Sequence, residues 1–254
     1  MKPKNNGKKW TENETILAYY YYCQIPFGKI HQANPEIIRL ANLLGRTPAS
    51  LSFKLGNLGH FDPELRKRNV NGLSNASKLD EEIFKLFSNN WEELAYRATL
   101  IENNLSHGIE AEEIRFPEGL ERPQESFYRI NQDFFRKAVL SNYQYACCIT
   151  GITIQNVLRA CHIKPWKDSD PGSERTNPHN GLCINSLHHD AFDAGLFTIL
   201  PDYTIRISTK LREDVKSESD KWLIKNDGQK ISLPERFWPN KEFLEYHNDM
   251  VFLR

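Results

Sequence analysis

The 254 residues carry 33 basic and 33 acidic side chains, so net charge gives no cue to an anionic partner, and the length allows one large domain or two small ones, each with a real core. The five cysteines lack a disulfide-framework spacing, and the longest apolar run, ILAYYYYCQIPF, is too short and too rich in tyrosine to span a bilayer. With no apolar segment following MKPKNNGKKW, a secretory leader is also excluded, and the expectation is a soluble cytoplasmic protein with reduced thiols, without a membrane partner.

The even charge total hides an asymmetry. Residues 1–75 hold 11 basic and 5 acidic side chains, whereas 76–120 hold 4 and 10. A basic head fits a module that binds a polyanion. Residues 1–9 read as a disordered basic tail. Thr11 and Glu14 have capping-box spacing and open a helix that runs to about Cys23, before the Pro26-Phe27-Gly28 turn. Its four consecutive tyrosines, 19–22, point in all directions at helical spacing and read as packing residues rather than a base-stacking platform.

In NPEIIRLANLLGRTPASLSFKLGNL, Pro35 opens a second helix and Gly45 ends it; Thr47 and Pro48 then start a third as N-cap and N1. Leu51, Leu55 and Leu58 share one face, and Ser50, Phe53, Lys54 and Asn57 lie opposite. Two short helices joined at a glycine fit a helix-turn-helix, with those four residues as candidate DNA contacts and Arg66, Lys67 and Arg68 as candidate phosphate contacts. An ordinary helical hairpin is the alternative. Residues 79–104 continue as amphipathic helix. The acidic, proline- and glycine-bearing stretch 105–125 reads as a linker, so the expected organisation is a helical DNA-recognition module over 1–104 and a second domain over 126–254.

The second domain opens with a helix over 131–143 and continues with short strands. His162 lies in the strand-like RACHIKPW, Asn180 in the turn NPHNG, and His189 and Asp193 are spaced i, i+4 on a short helix closed by Gly195. An imidazole and a carboxylate on one helical face can hold a divalent cation with positions left open for a phosphodiester. Such a pair alone is common on solvated helices, and His162 alone could be a structural histidine.

The order His, Asn, His, Asp, with the flanking CCITG (147–151), CHIKPW (161–166) and HNGLCINSLHHDAFDAGLFTI (179–199), resembles the HNH nuclease motif. It is similar to the bacterial subgroup that carries CxxTG, AHIxPW, NGL and HxxxFDxGL. The resemblance implies an α+β chain whose C-terminal part is a ββα-metal nuclease preceded by a helical, helix-turn-helix-like domain. It implies His162 as general base, Asn180 as the residue that braces the loop, and His189 and Asp193 as metal ligands. Mg²⁺ or Mn²⁺ is expected, with Ni²⁺ or Zn²⁺ as alternatives. The substrate implied is double-stranded DNA, the role restriction of foreign DNA, and a double-strand break would require a homodimer or two sequential nicks. Alternatives are a DNA-binding regulator with an inactive nuclease fold, and an RNA-directed toxin nuclease.

Two positions depart from the resemblance. Where many HNH enzymes place an acid or histidine just before the base, this chain has Cys161, expected to pack and to face away from His162 across the strand. The positions of the two structural CxxC pairs hold Cys148 with Gly151 and Asn185 with His188, so no four-ligand zinc is expected. Cys147, Cys148 and Cys183 read as core residues, His188 and His179 as solvent-exposed side chains, and His247 as structural.

Overall fold

The computed structural model describes residues 3–70, 75–116 and 124–254, without the side chains of 124–127. The chain folds as two compact units, Met1–Phe134 and Phe135–Arg254. Among the described residues no helix is long and apolar enough to cross a membrane.

The first unit is helical and is built around α1, Glu12–Gln24. The capping box forms: Glu14 N donates to Thr11 Oγ1 at 3.2 Å, and Thr11 N donates to Glu14 Oε2 at 2.9 Å. Tyr19 to Tyr22 are all buried, because α1 packs against α3 (Pro48–Leu58), α5 (Lys78–Phe87) and α6 (Trp91–Ser106) rather than lying on a surface. Each such side chain contributes about 1.5–3 kcal/mol by leaving water. Between them lie α2, Pro35–Leu43, and α4, Pro63–Lys67. Asn34 and Thr47 cap α2 and α3, each followed by proline, and Gly45 takes the left-handed turn at φ 62° that joins the two helices.

The basic head is ordered from residue 3. Arg46, 3% exposed, pairs with Glu14 through two hydrogen bonds of 2.7 and 2.8 Å and also donates to the carbonyls of Asn5, Lys8 and Lys9. A buried guanidinium needs that many acceptors, so it holds the tail expected to be disordered. The start of the expected linker is packed too. Ala111 and Ile114 are buried, and Asn13 Nδ2 donates to both of their carbonyls, at 2.7 and 3.1 Å. Residues 117–123 of that linker lie outside the described residues.

Helix α7, Gln124–Asn142, contributes Phe134 to the first unit and Phe135 onward to the second. The second unit is α+β. Strands β1 (Leu158–His162) and β2 (Gly181–Asn185) pair antiparallel with Cys161 opposite Leu182 and His162 opposite Gly181. Every residue of β2 is buried, so this hairpin is covered on both faces. Helix α8, Ser186–Asp193, follows β2 directly, with Asn185 as its N-cap. Strands β3 (Phe197–Ile199) and β4 (Ile205–Ile207) form a second antiparallel pair, followed by α9 (Thr209–Asp214), α10 (Lys221–Ile224) and α11 (Lys241–Met250).

Two glycines in this unit have no substitute. A Cβ on Gly181 would lie 2.3 Å from Val139 Cγ2 on α7, and one on Gly195 would lie 2.1 Å from the Val251 carbonyl oxygen. Gly195 also has φ 70° and ends α8, with Leu196 N donating to Ala191 O and Gly195 N to Phe192 O, both at 2.9 Å. The core joins Phe135, Leu158, Cys161, Ile163, Leu182, Ile184, Phe192, Phe197 and Leu244, and Cys147, Cys148 and Cys183 are buried within it.

Candidate functional site

His162 ends β1 at the mouth of a cleft of about 650 Å³ that His189, Asp193 and Tyr246 also line. The imidazole stacks on Phe135 at 3.9 Å between centroids and takes the edge of Trp166 at 5.5 Å. Its Nε2 lies 2.8 Å from the Arg175 carbonyl oxygen. A carbonyl can only accept, so Nε2 carries the proton and Nδ1 keeps a free lone pair. Burial pushes the imidazole pKa down to about 4, against the opposing Arg175 hydrogen bond, so the ring is neutral at physiological pH.

Arg175 is placed by the segment between the two strands, and Asn180 organises that segment. Asn180 is fully buried. Its Oδ1 accepts from Lys164 N at 2.8 Å, and its Nδ2 donates to Lys164 O, Ser169 Oγ and Glu174 O at 3.2, 3.2 and 3.3 Å. Glu174 is tied further by Lys164 Nζ and by Asp170 N. One amide side chain therefore spends its donors and acceptor on the loop whose end orients His162. Alanine there would leave several polar groups of the loop without partners.

Helix α8 presents His189 and Asp193 on one face, with Nε2 and Oδ2 3.6 Å apart. Cys161 differs from the expectation. Its thiol is fully buried, but Sγ lies 3.5 Å from Asp193 Oδ1, and Sγ, the His189 ring nitrogen and the Asp193 oxygen all fall within 4.8 Å of one another. At the end of β1 the two neighbouring side chains both approach Asp193: His162 across the cleft, Cys161 from the core. Burial and the Asp193 carboxylate push the thiol pKa well up. Donor atoms bound to one ion at about 2.0–2.3 Å stand roughly 3–4 Å apart, so an imidazole, a carboxylate and a thiol at these separations fit a cation with open positions. The carboxylate and imidazole suit Mg²⁺ or Mn²⁺ sites, and the sulfur adds a soft donor.

The remaining histidines of this unit are structural. His188, read as exposed, is 1% exposed, with Asn185 at its Nδ1 and Trp222 edge-on at 4.7 Å. It occupies the place of a zinc ligand, but Asn185 bonds Cys147 and Thr150 instead, closing that corner with hydrogen bonds. His179 is half-buried with Nδ1 2.8 Å from Trp238 O, and His247 is buried between Thr198 and the Phe192 carbonyl. Tyr246, on the wall of the cleft, carried no signal in the sequence.

In the first unit, Phe53 is 61% exposed, Ser50 and Asn57 are half-buried, and Arg66, Lys67 and Arg68 are exposed. Arg66 Nε donates to the His60 carbonyl at 2.9 Å. Lys54 does not belong with them. It is 5% exposed, and its ammonium is bonded to Asp80 on α5 and lies 4.8 Å over the Trp10 ring. The polar face of α3 is thus partly covered by α5, which periodicity within α3 cannot reveal. Lys54→Ala leaves Asp80 buried without its cation and should cost about 3–5 kcal/mol of stability in urea unfolding. Unchanged stability with weakened DNA binding would restore Lys54 as a contact residue.

Residues 147–200 match the family model for an HNH endonuclease. The match spans β1, β2, α8 and β3 and includes His162, Asn180, His189 and Asp193, and it supports nuclease activity. No curated protein matches the chain.

Proposed function

We propose that this chain is a divalent-metal-dependent endonuclease of DNA, acting in restriction of foreign DNA, with His162 as general base. The observation that carries the reading is the pairing of an oriented, neutral imidazole with the His189–Asp193 face across one cleft. The Nδ1 of His162 takes the proton of a water aimed at phosphorus. A phosphodiester entering the cleft brings negative charge beside the ring, which raises its proton affinity toward that task. Asn180 holds the loop that fixes the ring and touches no substrate itself. His189 and Asp193 would hold the cation, with Cys161 as a third donor from below. A cation bound there supplies charge against the phosphate and the departing 3′ oxygen.

In the first unit, α3 with Phe53, Ser50 and Asn57 and the run Arg66 to Arg68 form the DNA-contacting face in this reading. The face needs no Lys54.

The test is incubation of purified protein with modified and unmodified plasmid in Mg²⁺, Mn²⁺, Ni²⁺ or EDTA. Cutting should require metal and fall by at least about 10²-fold in His189→Ala or Asp193→Ala. Equal cutting of structured RNA would favour an RNA nuclease. Tight DNA binding without cutting under any metal would favour a regulator.

A further inference from the structure

Beside α3 the first unit holds a cavity of about 830 Å³, within the size range of small-ligand sites. Phe53, 61% exposed, Trp10 and Leu79 form its apolar walls. The Lys54–Asp80 ion pair lies in the lining, and Arg46 and Lys54 lie 4.1 and 4.8 Å over the Trp10 ring. These cations hold the indole in place and leave Phe53 as the open aromatic face. Asn57 also lines the cavity. Its Oδ1 is buried and has no hydrogen-bond partner among the described residues.

A buried carbonyl oxygen without a donor is costly, and its natural complement is a ligand N–H. An exposed phenyl ring beside it favours a flat partner. An aliphatic peptide side chain would satisfy the walls but leave the Asn57 oxygen bare. A flat heterocycle with an amino or ring N–H group satisfies both. We infer that this cavity is a nucleobase pocket, stacking one base on Phe53 and reading its N–H edge through Asn57. In a protein that acts on DNA, the base comes from the substrate, unstacked from the duplex. The inference rests on the proposed DNA endonuclease activity.

The test uses the full chain in EDTA, so that binding is read without cleavage. Affinities are measured for a fully paired duplex, for the same duplex with one bulged base, and for free adenosine and cytidine. The bulged duplex should bind roughly tenfold tighter than the paired one, the size expected when one base gains a stacking partner. In Phe53→Ala and in Asn57→Ala that ratio should fall to about one, with thermal melts confirming that both variants fold. A ratio of one in the unaltered protein, or a preference that survives both substitutions, overturns the pocket. Saturable nucleoside binding lost in Asn57→Ala, without duplex discrimination, keeps the base chemistry but overturns DNA as its source. Binding of the paired duplex without any preference leaves the DNA reading standing; binding of no DNA at all overturns both.

Discussion

His162→Ala should lower single-turnover cleavage of duplex DNA by about 10²–10⁴-fold, the range associated with loss of a positioned general base. DNA affinity in EDTA should stay close to that of the unaltered protein. The reason is local. The Arg175 carbonyl commits the Nε2 proton, Phe135 sets the ring plane, and Nδ1 is the atom left over. Alanine removes the acceptor without touching the His189–Asp193 pair. Asn180→Ala acts one step removed, by releasing the 163–175 loop, so its defect should be partly structural and visible as lowered thermal stability. Retention of activity in His162→Ala would end the general-base assignment. Loss of DNA affinity equal to the loss of rate would point to a binding role instead.

Acid should unfold the second unit well before it protonates the carboxylates of an ordinary domain. Burial holds His162, His188 and His247 each down to about 4 from an ordinary 6.5. Between those values the unfolded chain binds more protons than the folded one, so stability rises with pH there. The contribution is fully present above about 6.5 and is lost as pH falls toward 4. At pH 5 each histidine costs about 2 kcal/mol, and the three together roughly 6, a sum that rivals the whole stability of many domains. Urea midpoints for the 135–254 unit in EDTA should therefore drop steeply from pH 7 to pH 5 and change little from pH 7 to pH 8. His247→Gln should remove about a third of that slope. Equal midpoints at pH 7 and pH 5 would mean that these rings are hydrated in solution.

Local chemistry was the most legible part of the chain. The capping box at Thr11, the Asn34-Pro35 and Thr47-Pro48 starts and the turns at Gly45 and Gly195 depend only on neighbours, and each stands where the sequence placed it. The spacing of His189 and Asp193 likewise needed nothing but helical period. What the sequence hid was decided by other elements. Lys54 looked like a reader of DNA until α5 supplied Asp80. Residues 3–9 looked free because nothing near them announces that Arg46, far along the chain, needs their carbonyls. Cys161 looked turned away because alternation assumes a strand that continues, whereas β1 ends at His162. The Arg175 carbonyl that orients the base is a backbone atom, and no side-chain pattern can signal it.

The glycine at position 181 has one more consequence. It sits opposite His162 in the hairpin and against Val139, where the nearest side-chain carbon leaves no room for a methyl group. A strand slip of one residue would bring Asn180 or Leu182 to that spot and turn His162 and Cys161 to exchanged sides. The misaligned hairpin could not dock on α7, so it would be discarded before any catalytic group was assembled. Quality control of folding and switching-on of chemistry then become a single event: a molecule able to cut is one whose hairpin has already passed inspection.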